Sequence, residues 1–332
     1  MFYKKLFVTT LLACVASTAY GQFRPRTTVP ARNIASRSLP AYGVVPGSGQ
    51  QITEVGDDFE STKWTWNPNL PKVYNHKDST QSKNFPLGAA ANGRWFEGQV
   101  RGQPDSVRRV PTPEGGLAGS TGALALKTLK SGAEYPGHQQ QQDDFIANVA
   151  ERVGKLSVSQ SPSVVTRVWL PPIDQWENRT GCHFAFRVGL HTDPNATMQG
   201  GIRNDKFDGI YWPGMFIHMN SKEGRGATGQ PHDSAYIWIK ATDDGRQMRG
   251  PQITVSGWWT MGMSVTEDGR VHFYAKPGIE DLTPADHVGS SFPFGYRAQH
   301  LRSFFFNVCN GDDGRTWSTE FVIDDPKVFV KR

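Results

Sequence analysis

Gly257-Trp258-Trp259-Thr260-Met261-Gly262-Met263-Ser264-Val265, Glu267-Asp268-Gly269 and Arg270-Val271-His272-Phe273-Tyr274-Ala275-Lys276 read as two short strands joined by a tight turn. Both arms are rich in aromatic and β-branched residues, and Gly269 can take the positive φ that a hairpin turn requires. In the second arm Val271, Phe273 and Ala275 alternate with His272, Tyr274 and Lys276. Side chains two apart on a strand share a face, so one face is apolar and the other carries an imidazole, a phenol and an ammonium.

The same alternation recurs along the chain. Arg167 with Trp169, His183 with Arg187, His218 with Asn220, and Tyr236 with Trp238 and Lys240 hold the polar positions, while Phe184, Phe186, Val188, Ile237 and Ile239 sit between them. Phe304 and Phe306 supply core from a further strand. Each buried Phe or Ile contributes about 1.5 to 3 kcal/mol, enough together to fix register. If the five strands are neighbours in one sheet, their polar sets form one broad surface of rings, imidazoles and cations.

Strands are expected at Gly122 to Leu129, Val164 to Leu170, His183 to Leu190, Met215 to Asn220, Ala235 to Lys240, Trp258 to Thr266, Arg270 to Lys276, Phe304 to Cys309 and Glu320 to Val330. Only Asp144 to Gly154 has a helical period, with Ile146, Val149 and Val153 on one side and Gly154 as the cap. Many strands and one short helix predict an all-β chain, a two-sheet antiparallel β-sandwich with long loops.

The chain has 332 residues and a formal net charge of +5. Residues 1–21 read as a secretory signal peptide: Lys4 and Lys5, an apolar run from Leu6 to Val15, and a small-x-small site at Ala19-Tyr20-Gly21. Cys14 after Leu11-Leu12-Ala13 leaves a lipoprotein signal as a second reading. Residues 22–50 hold Pro25, Pro30, Pro40 and Pro46, four arginines and no acid, the composition of a flexible tether. Residues 51–332 are expected to form the sandwich domain. Without Lys4, Lys5, Arg24, Arg26, Arg32 and Arg37, 30 basic residues face 31 acidic ones, which counts against a nucleic-acid partner. No later stretch reaches the ~18 uncharged apolar residues of a membrane span. A secreted, periplasmic or cell-surface location follows.

The hairpin at 257–276 is similar to the central hairpin of concanavalin A-like lectin/glucanase domains, a superfamily that includes laminin G-like modules and jelly-roll polysaccharide lyases. Asp57-Asp58-Phe59-Glu60 with Trp64 and Trp66 resembles the usual opening strand, and Phe321 to Asp325 with Val328-Phe329-Val330 the closing one. The resemblance spans roughly residues 54 to 330 and implies a jelly roll whose first and last strands pair. The Gly/Pro-rich stretch from Lys77 to Ser120 departs from a minimal module.

Members of this superfamily bind glycans on a concave sheet, so the resemblance implies a polysaccharide partner. Sugar C–H faces stack on rings while Arg and Lys pair with carboxylate or sulfate. Trp169, Tyr236 and Trp238 are then platforms, with His183, Arg187, Lys240, His272 and Lys276 as further glycan contacts. A lyase on the same scaffold would clamp a uronate carboxylate with Arg167 and Asn220 and move the proton with Tyr274 and His218. The Arg-x-Glu and Gln-x-His strands of such lyases are absent, Phe216-Ile217-His218 matching the second only in part. The superfamily's hydrolase run, Glu-x-Asp-x-x-Glu, is also absent. An envelope or surface protein using the sandwich for protein contacts is a third reading.

Two signals stay open. Cys182 and Cys309 are either one disulfide or two buried small apolar residues. Asp57 and Asp325 are either weak ligands of a structural Ca²⁺ or solvated strand-end acids; no other cofactor is expected.

Overall fold

The computed structural model describes residues 43–70, 88–98, 101–131, 142–192, 209–227 and 229–331. The signal segment with Cys14, the tether up to residue 42 and residues 77–87 lie outside them.

The strands of five or more residues are β1 Gln50–Gly56, β2 Ser106–Val110, β3 Ala123–Lys127, β4 Gln142–Ala147, β5 Ser163–Leu170, β6 Gly181–His191 and β7 Gly214–Asn220. They continue with β8 Ser234–Lys240, β9 Gln247–Ile253, β10 Gly257–Val265, β11 Val271–Pro277, β12 His287–Ser291, β13 His300–Cys309 and β14 Phe321–Val330. All nine segments expected from the sequence are strands. They form a two-sheet antiparallel β-sandwich of jelly-roll type, as the resemblance implies. The first sheet has the order β12-β11-β10-β5-β14-β3-β2, with β1 also on β14. The second runs β9-β8-β7-β6-β13-β4 and continues through the short pairings at Phe96–Glu97, Ala89–Ala90 and Trp66–Asn67.

Alternation places the core where it was expected. Leu124, Val168, Met261, Phe273 and Ile323 of the first sheet meet Phe184, Phe186, Ile217, Ile237, Phe304 and Phe306 of the second, all buried. Phe184 of β6 stacks on Phe321 of β14 with ring centroids 4.9 Å apart, tying the layers directly. Trp95 lies in this core on Phe145, at 4.5 Å. The 257–276 hairpin forms as read, β10 on β11 from Trp259↔Pro277 to Val265↔Val271, with Gly269 at φ 82° in its turn.

Two local expectations are corrected. The opening strand is Gln50–Gly56, paired with β14 from Gln50↔Val330 onward, and Asp57-Asp58-Phe59-Glu60 is the turn that follows it. There Asp57 Oδ1 accepts from the Phe59 amide at 3.1 Å, and Phe59 takes φ 54°. The helical period at 144–154 covers two elements. Gln142–Ala147 is β4, laddered on β13 from Ala147↔Phe304 to Gln142↔Cys309, and only Val149–Val153 is helix, α1. Six residues of inter-strand pairing outweigh one turn of helix. Asn148 caps α1 through the Glu151 amide, and the Gly154 N–H closes it on Ala150.

Candidate functional site

The five polar sets do not share one surface. Arg167 and Trp169 are on β5, and His272, Tyr274 and Lys276 on β11, both in the first sheet; the other three sets are on β6, β7 and β8 of the second. The shared core separates the two outer faces.

The first sheet's outer face is a platform for loops. Tyr274 is buried and its hydroxyl donates to the Gly43 carbonyl at 3.2 Å. His272 lies against Gly43, where a Cβ would come within 2.5 Å of its ring. Burial, together with nearby His287, lowers the His272 pKa to about 4, so it is neutral. Arg167, also buried, donates to the Ile279 carbonyl at 3.1 Å and to Asp281 at 2.7 Å. Lys276 reaches the Asp281 carbonyl at 2.6 Å. Trp169 packs with Trp258, Ala123, Ala125 and Val322. These residues pin the segments around 43 and 279–281 across the sheet, although composition assigned Gly43 to the tether. Arg167 and Tyr274, expected as clamp and proton carrier, therefore stand on the opposite side of the sandwich from His218 and Asn220. Tyr274→Phe should cost about 1 kcal/mol, the net value of one hydrogen bond, read as a lower denaturation midpoint with glycan retention unchanged.

Three transverse rows cross the second sheet's outer face. One runs Gln142, Cys309, Cys182, His218, Tyr236, its two cysteines joined by side-chain contact beyond the end of the β6–β13 ladder; the next Asp144, Asn307, Ala185, Phe216, Trp238; the third Ile146, Phe305, Arg187, Gly214, Lys240. Asn220 lies one step beyond His218 on β7. A bulge between Cys182 and Phe184 shifts the register of β6, so Cys182 joins the outer row and His183 turns inward. His183 is fully buried, against Thr319 Oγ1 at 3.0 Å and the Arg179 carbonyl at 3.2 Å. Burial first, then Arg179, lowers its pKa to about 3. It is a structural histidine, not a surface contact.

The middle of the face is one connected polar chain. Arg187 donates through Nε (3.1 Å) and Nη2 (2.6 Å) to the Trp212 carbonyl and through Nη1 to Asn307 Oδ1 at 3.2 Å. Its guanidinium lies over the rings of Phe216 and Phe305, at 5.3 and 5.2 Å. Asn307 in turn donates to Asp144 Oδ1 at 2.5 Å, which also accepts from Gln142 at 3.1 Å. Burial raises Asp144 to about 6 against the pull of Arg187 and Arg101. Asn307 can therefore present its amide in only one sense, oxygen toward Arg187 and nitrogen toward Asp144.

Toward β8 the face opens. His218, Phe216, Tyr236, Trp238 and Lys240 are all half-buried. His218 stands directly opposite Tyr236 and edge-on to Trp238, ring centroids 5.9 Å apart. Burial and Arg179 hold it below the ordinary histidine range. Arg249 of β9 stacks on Tyr236 at 3.6 Å. Arg187, His218, Asn220, Tyr236, Trp238 and Lys240 were legible as surface residues. Asp144, Gln142 and Asn307 were not: the first two stood in or beside a stretch read as helix, and Asn307 sits in the apolar run Phe304 to Val308.

Asp57 and Asp325 do not fit a cation. Asp57 Oδ2 accepts from Trp64 Nε1 at 3.0 Å and Asn92 Nδ2 at 2.6 Å, and Asp325 pairs with Lys327 at 2.7 Å. Among the described residues no three His, Cys, Asp or Glu converge on one point, and no helix is long and apolar enough to cross a membrane.

No family model matches the chain, and no curated protein does. Solved structures with a related chain path include a PL7 alginate lyase from Zobellia galactanivorans (9% identity, TM-score 0.38, covering 66% of this chain and 82% of that one). An alginate lyase from Pseudomonas aeruginosa is another (8%, TM-score 0.36, 69% and 87%), and one from Klebsiella pneumoniae a third (8%, TM-score 0.34, 69% and 86%). Likeness at this level carries no reaction across to the present chain.

Proposed function

We propose that this is an exported protein that holds an acidic polysaccharide on the outer face of its second sheet. The observation that supports this most is the Arg187–Asn307–Asp144 chain set beside the half-buried rings of Phe216, Tyr236 and Trp238. Arg187 has five N–H donors, of which three are engaged among the described residues. Two remain for a uronate carboxylate, a charge-assisted pairing that arginine makes well. Trp238 offers a ring to the sugar, Tyr236 under Arg249 offers its hydroxyl, and Lys240 adds a second cation.

A second reading, β-elimination, is favoured by one feature: a neutral imidazole directly across the ladder from a phenol. Abstraction of the proton beside a clamped carboxylate needs a base that is unprotonated at working pH, and burial keeps His218 in that form. In this reading Tyr236 returns a proton to the leaving oxygen.

The test is retention of the full chain on immobilised alginate, glucuronan and pectate, with ultraviolet absorbance followed for a new unsaturated uronate. Retention that weakens with salt is expected, since the contacts are ionic and partly exposed. Absence of retention on every acidic glycan would overturn the binding face. Where absorbance rises, the acidic limb of the rate profile should lie below about pH 6.5, the ordinary value for histidine. A limb at or above that value would remove His218 as the base.

A further inference from the structure

Cys182 and Cys309 sit side by side in the first of the three rows, on adjacent strands, with their Sγ atoms 3.7 Å apart. Strict alternation from Phe184 would have turned Cys182 toward the core and His183 outward. The bulge reverses them, and this reversal brings the two thiols to the same side of the sheet.

We propose that Cys182 and Cys309 form a reversible disulfide in the floor of this face, and that its state sets how tightly the face holds an acidic chain. The second half rests on the glycan reading above. Bond formation needs the sulfurs to close from 3.7 Å to about 2.05 Å, a shift within the reach of two side chains. Exchange with a small external disulfide such as oxidised glutathione supplies the oxidant. The Cys182 thiolate attacks one sulfur of that disulfide and expels a thiolate. Cys309, losing its proton, then attacks Cys182 Sγ and expels the second, and the two released protons go to the departing thiolates. The order follows from the surroundings: contact with Cys309, then Arg179 and Arg187, favours the thiolate at Cys182 against burial, while the same contact and burial raise Cys309. Cys182 is also the more exposed of the two.

The consequence for binding is electrostatic. The dithiol can ionise and the disulfide cannot: a thiolate at Cys182, which contact with Cys309 and the charges of Arg179 and Arg187 favour against burial, would compete with an incoming carboxylate for Arg187. The disulfide removes that charge and draws Cys182 toward β13, away from His218.

The experiment equilibrates the full chain with oxidised glutathione or with dithiothreitol, alkylates under denaturing conditions, maps the cysteine peptides so that Cys14 is scored separately, and measures alginate-oligosaccharide affinity in each state. A linked Cys182–Cys309 peptide is expected after oxidation and two alkylated cysteines after reduction, with affinity about fivefold weaker when reduced. The Cys182→Ser, Cys309→Ser double variant should show one affinity in both buffers. Full alkylation of both cysteines after oxidised glutathione overturns the bond. A linked pair with equal affinity in both states overturns its control of the face. If the link forms and neither state binds any acidic glycan, the glycan reading and the control of affinity fall together, and the bond stands.

Discussion

Arg187→Met is expected to weaken binding of an acidic oligosaccharide about 100-fold while leaving the sandwich folded. Removing one partner of a partly desolvated, hydrogen-bonded charge contact costs about 2 to 5 kcal/mol, and each 1.4 kcal/mol is tenfold in affinity. Methionine keeps the apolar stem between Phe216 and Phe305 and removes only the charge and its donors. Two further losses follow from the connected chain. Asn307 Oδ1 loses the donor that fixes its amide, and Asp144 loses a cation that opposes its burial, so its carboxyl moves further above 6 and accepts a proton near neutrality. Arg187→Lys should fall between the two, because an ammonium restores charge without the planar fork. Calorimetric titration at pH 7.5 is the measurement, with the thermal midpoint recorded for each variant. Unchanged affinity in a folded Arg187→Met protein would move the binding surface elsewhere. Should the variant fail to fold, Trp238→Ala tests the same face from a half-buried position, where loss of binding is again expected.

The two outer faces show what alternation along a strand can tell and what it cannot. A period of two separates core from non-core, and it did so correctly for β7, β8 and β11 and for β6 from Phe184 onward. Whether the non-core side meets solvent depends on what crosses it, and the segments around Gly43 and 279–281 that cover the first sheet have no period at all. Tyr274 and Lys276 consequently looked as surface-exposed in sequence as Tyr236 and Lys240. Sheet membership is also non-local: β5 neighbours β10 and β14, while β6 neighbours β7 and β13, and nothing in either strand's own residues distinguishes them.

The residue types needed for an acidic-glycan site were nevertheless present in the expected kinds. In the proposed site the clamp arginine would be Arg187 in place of Arg167 and the phenol Tyr236 in place of Tyr274, while His218 and Asn220 lie on the same sheet as both. His183 was lost to the surface because a single bulge reverses facing for every residue before it. That same bulge supplied Cys182.

Asp324→Asn is expected to stabilise the protein above pH 7 and to leave it unchanged near pH 4. Asp324 lies on the first sheet's outer side of β14, 1% exposed, opposite Arg167 in register. The Arg167 guanidinium goes to Asp281 instead, and Asp324 accepts from Ser120 Oγ at 3.0 Å and from the Asp325 backbone amide, with no cation paired to it among the described residues. Burial, aided by the charges of Asp325 and Glu60, raises its pKa to about 7, against about 3.9 in an unfolded chain. Between those values the folded protein holds a proton that the unfolded chain has released, so stability falls as pH rises from about 4 to 7 and is level above that. At about 1.36 kcal/mol for each unit of difference, the penalty above pH 7 is about 2 to 4 kcal/mol, or roughly 5 to 10 °C in thermal midpoint for a domain of this size. Asparagine keeps an acceptor for Ser120 and removes the charge that Asp325 and Glu60 oppose. Midpoints measured at pH 3.5 and 7.5 for both proteins give the check: the variant should match the parent at the lower pH and exceed it at the higher. A variant less stable at pH 7.5 would mean that the ionised carboxylate is held by a favourable contact, and Asp324 would then be an anchor of the Ser120 loop.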